Sequence, residues 1–182
     1  MKILKHRKTR LTAIGVAVLL AGLSGSAVAG SASTTFTVSA TVLSNCTISA
    51  TNLSFGTYNP LSATANTATG SVTITCTKSA ASTVGMDNGL NFASATRSMK
   101  SGAGDLINYT LGQPPNTVPG TACTFPGTAW TAVVGGLFTP AVAPSKAART
   151  YNVCGQATAG QDVPGSVAGV LYSDTVTASV NF

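Results

Sequence analysis

Chemistry at neutral pH needs side chains that move protons, attack carbon or hold metal, and this chain is nearly bare of them. Its 182 residues include one histidine, His6, and no glutamate; the only acids are Asp87, Asp105, Asp162 and Asp174. Acid–base catalysis, Cys–His nucleophiles and most zinc or copper sites depend on the missing types. Asp87 stands in Asp87-Asn88-Gly89 and Asp105 follows Gly-Ala-Gly. Both are contexts in which a short side chain bonds its own backbone, so they predict turns rather than a carboxylate pair or a calcium loop. Gly135-Gly136 precedes no helical pattern and predicts a turn or bulge, not a phosphate cradle. No enzyme activity, cofactor or metal is expected.

The remaining reactive groups are Cys46, Cys76, Cys123 and Cys154. No Cys-x-x-Cys occurs, which excludes the usual redox and zinc-knuckle spacings. An even count in an exported chain predicts two disulfides. Pairing Cys46 with Cys76 and Cys123 with Cys154 closes two loops of about 30 residues, each contributing roughly 3 to 4 kcal/mol in the chain-entropy model. The other two connectivities stay open at this level.

Export is read from the first 29 residues. Lys2, Lys5, Arg7, Lys8 and Arg10 form a basic start, Leu11 to Leu23 an apolar stretch, and Ala27-Val28-Ala29 a small-residue cleavage site. The apolar stretch is shorter than the about 20 residues a bilayer requires, so the segment predicts a signal peptide, with no membrane anchor. His6 leaves with it. So do half of the ten cations, and Lys78, Arg97, Lys100, Lys146 and Arg149 then face four aspartates, a net charge of +1 instead of +6. Those cations are scattered singly, so nucleic acid is not an expected partner.

The elements that must carry this chain's function are strands. In the amino-terminal segment, residues 30–44, Phe36, Val38, Ala40 and Val42 alternate with Thr37, Ser39 and Thr41, placing one apolar set on one strand face. Further strands are expected at Asn45–Ser49, Gly70–Thr77, Leu90–Ala93, Leu106–Leu111, Trp130–Val134 and Thr150–Gln156. A long final strand is expected from Val170 to Phe182. There Val170, Tyr172, Val176, Ala178, Val180 and Phe182 share a phase broken only by Asp174, which places the chain end in the sheet core. Turn-forming clusters such as Tyr58-Asn59-Pro60 and Gln113-Pro114-Pro115-Asn116 separate the runs. Short strands at this spacing predict a single all-β antiparallel sandwich over residues 45–182. Trp130 is expected in its core, and Tyr58, Tyr109, Tyr151 and Tyr172 are too dispersed to indicate a ligand site. Few lysines guard the strand edges, a composition suited to pairing with other chains.

Several runs taken together resemble a known family. Asn45-Cys46-Thr47-Ile48, Leu53-Ser54-Phe55-Gly56-Thr57-Tyr58 and Gly70 to Thr77 are similar to the opening of the spore coat protein U domain. Arg97-Ser98-Met99, Leu106 to Leu111, Tyr151 to Gly155, Gly160-Gln161-Asp162 and Tyr172 to Val176 follow in the expected order. This domain also forms subunits of archaic, Csu-type chaperone-usher pili. Gly169, fourteenth from the end before an aromatic-tipped strand, is similar to the carboxy-terminal motif of other pilins, although here the aromatic Phe182 is last and not penultimate. The resemblance implies an immunoglobulin-like sandwich lacking its last strand. Its groove would be filled first by a periplasmic chaperone and then, after passage through an outer-membrane usher, by the amino-terminal strand of the next copy. It implies Phe36, Val38, Ala40 and Val42 as donor residues and the final strand as the groove wall. It also implies a fibre on the cell surface that supports adhesion and biofilm formation.

Without the resemblance, Phe36, Val38 and Val42 are assigned in preference to the protein's own sheet, as in any self-complete secreted or coat β-domain. A tip adhesin would need a further binding domain, for which the 153 residues after the leader, 182 less 29, leave no room. The structural subunit is the expectation carried forward.

Overall fold

The computed structural model describes residues 29–165 and 169–182, so all of the expected leader except Ala29 lies outside the described residues. The chain divides into two units, Met1–Ala40 and Thr41–Phe182. In the first, residues 29–40 carry no strand or helix and are exposed throughout. The second is all-β among the described residues. Its strands are β1 (Cys46–Thr51), β2 (Asn66–Cys76), β3 (Thr83–Met86), β4 (Arg97–Ser101), β5 (Leu106–Gly112), β6 (Arg149–Ala157), β7 (Tyr172–Ser173) and β8 (Ala178–Asn181).

Two antiparallel sheets form from them, one in the order β1-β2-β6-β5-β4-β7 and a smaller one of β3 and β8. Alternation in β2 sets the larger sheet. Val72, Ile74 and Cys76 are buried, while Ser71, Thr73 and Thr75 lie on the wetter face. On that face Thr73 and Thr150 share a hydroxyl hydrogen bond of 2.8 Å and Thr51 and Ser71 one of 2.9 Å, the cross-strand Thr–Thr and Thr–Ser pairing common on a solvated sheet face. Gly155 in β6 is bare for a packing reason. A Cβ there would meet Leu53 Cδ1 at 2.6 Å, so the glycine lets the loop after β1 fold over the sheet.

Trp130 and Tyr151, both wholly buried, flank Phe138, with ring centroids at 5.3 and 5.0 Å. The indole N–H is satisfied by the Val84 carbonyl at 2.8 Å. Two of these rings, Trp130 and Phe138, come from residues 113–148, a long connection without a named strand. It behaves as a broken strand. Trp130 N–H donates to the Leu111 carbonyl, Phe138 pairs with Val84, and Ala143 pairs with Ser79 and Ala80, which covers the outer edge of β3. The disulfides are Cys46–Cys76, between register partners of β1 and β2, and Cys123–Cys154, which ties the long connection to β6.

Besides the amino-terminal alternating segment, which forms no strand, three expected strands differ from what forms. Leu90–Ala93 is a turn, with Leu90 80% exposed and its N–H taken by Thr175 O and the Asp174 carboxylate. Trp130–Val134 is also a turn, closed by Thr131 N–H to Gly136 O and Gly136 N–H to Val133 O, so Val133 and Val134 point to solvent. The final strand is not continuous. It breaks over residues 174–177 because β7 belongs to the large sheet and β8 to the small one, and the chain must cross between them. Its alternating phase survives the break, but half-buried rather than as core, and Val170 and Phe182 are exposed. Asp87 and Asp105 do sit in turns: Asp87 Oδ1 accepts Gly89 N–H at 2.9 Å, and the Asp105 N–H donates to Ser101 Oγ at 3.1 Å.

Candidate functional site

Strand chemistry directs attention to unpaired edges, since each exposes a row of N–H and C=O groups. β1 ends one side of the large sheet and β8 one side of the small sheet. The two edges neighbour one another, with Cα atoms within 8 Å. Successive residues of a strand turn their backbone groups to opposite edges. Thr177 directs both its N–H and its C=O toward Asp87. Val176, Ala178 and Val180 therefore present theirs on the side away from β3.

Next to these edges lies a groove of about 850 Å³. Its walls are Ala50 to Tyr58 on one side and Gly169 to Val176 with Ala178 on the other. Its floor is apolar and comes from the cores of both sheets: Val72, Met86, Met99, Ile107, Leu111 and Val153. Tyr58 anchors the first wall, donating its hydroxyl to Thr158 O at 2.7 Å and accepting Gln161 N–H at 3.0 Å. Phe55 leans on Tyr109 with centroids 6.0 Å apart. The second wall is anchored by Tyr172, whose hydroxyl donates to Pro164 O at 3.1 Å, and by Asp174.

The electrostatics beneath the groove are unusual for so apolar a chain. Arg97 is buried and places its guanidinium on the carbonyls of Met86 (3.0 Å), Asp87 and Trp130 (2.8 Å). Burial lowers its pKa, opposed by Tyr109, Asp87 and Asp174. Burial, and then the hydrogen bond to Asp174, pushes the Tyr109 phenol far above its ordinary value. Asp87 moves the other way. Burial disfavours its charge, but N–H donors from Thr177 and Gly89, with Arg97 nearby, hold the carboxyl below its usual range. Among the described residues no group of three or more His, Cys, Asp or Glu is placed to hold a metal ion, and no helix is long and apolar enough to cross a membrane.

Of the residues singled out from the sequence, Val170, Tyr172, Val176 and Ala178 line the groove, whereas Val180 and Phe182 do not. Phe36, Val38 and Val42 are 84, 83 and 79% exposed, in a stretch without strand pairing. Sequence reasoning did not assemble the groove, and it missed Met86 and Met99 of the floor and Leu53 of the first wall above all. Its legible part was the inward phase of β2, β5 and β6, which supplies Val72, Ile107, Leu111 and Val153, whereas Met86 and Met99 come from short or polar strands.

The family model described as Spore Coat Protein U domain matches residues 32–179. A search of curated proteins finds no match. Among solved structures, the chain is similar to one in the crystal structure of the CsuC-CsuE chaperone-tip adhesion subunit pre-assembly complex from archaic chaperone-usher Csu pili of Acinetobacter baumannii. The two share 22% identity and a TM-score of 0.51 over 78% of this chain and 40% of that one. This chain thus spans less than half of that relative's length, and the likeness establishes a shared fold. With a matched region that runs from the exposed amino-terminal segment to β8, the chain belongs to the Spore Coat Protein U domain family.

Proposed function

We propose that this chain is a non-enzymatic structural subunit of a surface pilus, joined to its neighbours by strand donation. The observation that carries the reading is the apolar groove beside the free edges of β1 and β8. A segment with the complementary pattern, Phe36, Val38, Ala40 and Val42, stands exposed in the same chain. An added strand would pair with the backbone groups that Val176, Ala178 and Val180 present on the free edge of β8, and its alternate side chains would enter the groove. Because donor and acceptor are different surfaces, the contact is head-to-tail and propagates a filament.

In this reading residues 1–29 are an export signal, residues 30–44 the donor segment and residues 45–182 the acceptor domain. A periplasmic chaperone fills the groove first, consistent with the chaperone named in the similar structure's description. An outer-membrane usher then exchanges it for the donor segment of another copy or a related pilin, and the fibre at the cell surface serves adhesion and biofilm formation.

The test is expression in the periplasm without a chaperone. The mature chain should be degraded or form ladders of oligomers, since its groove exposes apolar surface and unpaired edges. A copy of Ser31 to Leu43 appended through a flexible linker after Phe182 should give a stable monomer. An unmodified mature chain that is monomeric and unfolds in two states would instead establish a self-complete secreted domain.

A further inference from the structure

Asp174 is the polar exception in the apolar phase of the last strand, and the groove reading leaves it unexplained. It is half-buried and accepts four hydrogen bonds. Leu90 N–H (3.0 Å), Asn91 N–H (3.2 Å) and Asn91 Nδ2 (3.1 Å) donate to Oδ1, and the Tyr109 hydroxyl (2.6 Å) to Oδ2. The contact leaves no room at Gly89, where φ is +76° and a Cβ would lie 2.1 Å from Asp174 Oδ2. Asp87 reinforces it from the other side of the crossing, giving its N–H to Thr177 O (3.0 Å) and accepting Thr177 N–H (2.9 Å). Residues 174–177, which have no ladder of their own, are thus held by two aspartates.

Register is the consequence. A strand whose apolar residues recur at every second position can slip by two residues and keep each side chain on the same face, so its hydrophobic pattern cannot choose among registers. Without Asp174, the run from Val170 to Phe182 would be such a strand. A slip by two would put Tyr172 or Val176 in the place of Asp174 and leave two backbone N–H groups, an amide and a phenol without their acceptor, a penalty the native register avoids. A single polar residue that fixes register in an otherwise degenerate apolar seam is the best-attested use of buried polarity. Resting on the strand-acceptor reading above, we propose that Asp174 is a positioning residue: it fixes the register of β8, and through the free edge of β8 the register at which an incoming strand is received.

The test reads register directly, in the chain carrying the appended donor copy. β3 and β8 align Thr83 with Asn181 and Gly85 with Ser179, and all four native cysteines are engaged in disulfides, so new cysteines report cleanly. Thr83→Cys should oxidise with Asn181→Cys and not with Ser179→Cys, the partner after a two-residue slip. In an Asp174→Val background the slipped disulfide should rise at least about tenfold, the effect of losing one charge-assisted hydrogen bond. Asp174→Asn, which keeps a carbonyl acceptor, should restore the native pair. Tyr109→Phe offers a milder perturbation should Asp174→Val fail to fold, and should yield a smaller slipped fraction. A role limited to stability would lower the melting temperature without moving the crosslink.

A second measurement pairs Ser179→Cys with cysteines at positions 37, 39 or 41 of the appended copy. One position should dominate, and in Asp174→Val the crosslinks should spread to its neighbour two residues away. Only the native Thr83–Asn181 crosslink in Asp174→Val and Tyr109→Phe overturns the positioning role alone. No donor crosslink at any position in the Asp174 background overturns the strand-acceptor reading and this role with it.

Discussion

Val38 offers the sharpest test of strand donation, because its substitution separates the two faces of one short segment. In the free segment the Val38 side chain is 83% exposed, so transfer into an apolar groove contributes about 1.5 to 2 kcal/mol. Val38→Asp forfeits that gain and adds the cost of bringing a carboxyl group into an apolar groove. The smallest cost is to enter protonated. Neutralising a carboxylate of ordinary pKa at pH 7 takes about 3 pKa units at 1.36 kcal/mol each, roughly 4 kcal/mol, which caps the electrostatic penalty. The total, about 5 to 6 kcal/mol, corresponds to roughly 10⁴-fold weaker insertion. Ser39→Asp, one residue on, keeps its charge in water and should cost under about 1 kcal/mol, a few-fold effect. The assay displaces chaperone from a held subunit with peptides of residues 31–43 and follows release by native mass spectrometry. Fibre assembly of the full-length variants serves as the second readout. Val38→Asp chains should still be captured by chaperone, since their acceptor domain is untouched, yet fail to polymerise. Equal loss at both positions would refute the alternation, and normal fibres from Val38→Asp would remove this segment from the donor role.

Three further outcomes follow from the acceptor domain. Arg97→Met should lower stability by about 3 kcal/mol or more in urea titrations, because two buried carbonyls and the half-buried one of Asp87 lose their donor; Arg149→Met, where Nη1 reaches Ala141 O and the Tyr151 hydroxyl but Nε and Nη2 have no partner among the described residues, should cost clearly less. Replacing Cys123 and Cys154 together by serine should cost about 3 kcal/mol, read as a fall in the urea midpoint that reductant no longer deepens at this bridge. Since the Asp87 carboxyl is held below its ordinary value of 3.8, the stability it contributes is complete above that pH and is lost as pH falls through the lowered folded value. Asp87→Asn should therefore flatten the acid limb of stability against pH below about 4, and an unchanged limb would assign the acid sensitivity elsewhere.

Legibility in the sequence followed how local each cause was. β2, β5 and β6 could be read because one face is core and the other wet, so Val72, Ile74 and Tyr151 alternate visibly with Thr73 and Thr150. β3 and β4 could not: β3 is four residues with Gly85 inside, and β4 reads as Arg-Ser-Met-Lys-Ser, a polar string whose Arg97 is buried only because distant carbonyls receive it. Nothing near Arg97 or Arg149 distinguishes the well-partnered guanidinium from the poorly partnered one. The apolar runs at Leu90 and Val133 looked like strands because β-propensity measures fit to neighbours, and here the neighbours are turns. Asp174 was visible as an interruption, but its partners at Leu90, Asn91 and Tyr109 are far away in the chain and had to be supplied by the fold.

The position of the Cys46–Cys76 bridge has a mechanical meaning. Tension on the amino-terminal segment would reach the β-domain through the short Asn45–Thr77 contact and then Cys46, the first residue of an edge strand held by a single ladder. An edge strand pulled from its end is loaded one hydrogen bond at a time, the weakest way to load a sheet. The bridge joins that first residue covalently to Cys76 in β2, whose other side is zipped to β6 from Asn66 to Ile74. Force therefore bypasses β1 and is carried into the middle of the sheet, where many bonds share it in parallel. Cleaving this one covalent link should turn a shear-loaded domain into one that peels, with a lower rupture force even where its equilibrium stability changes little.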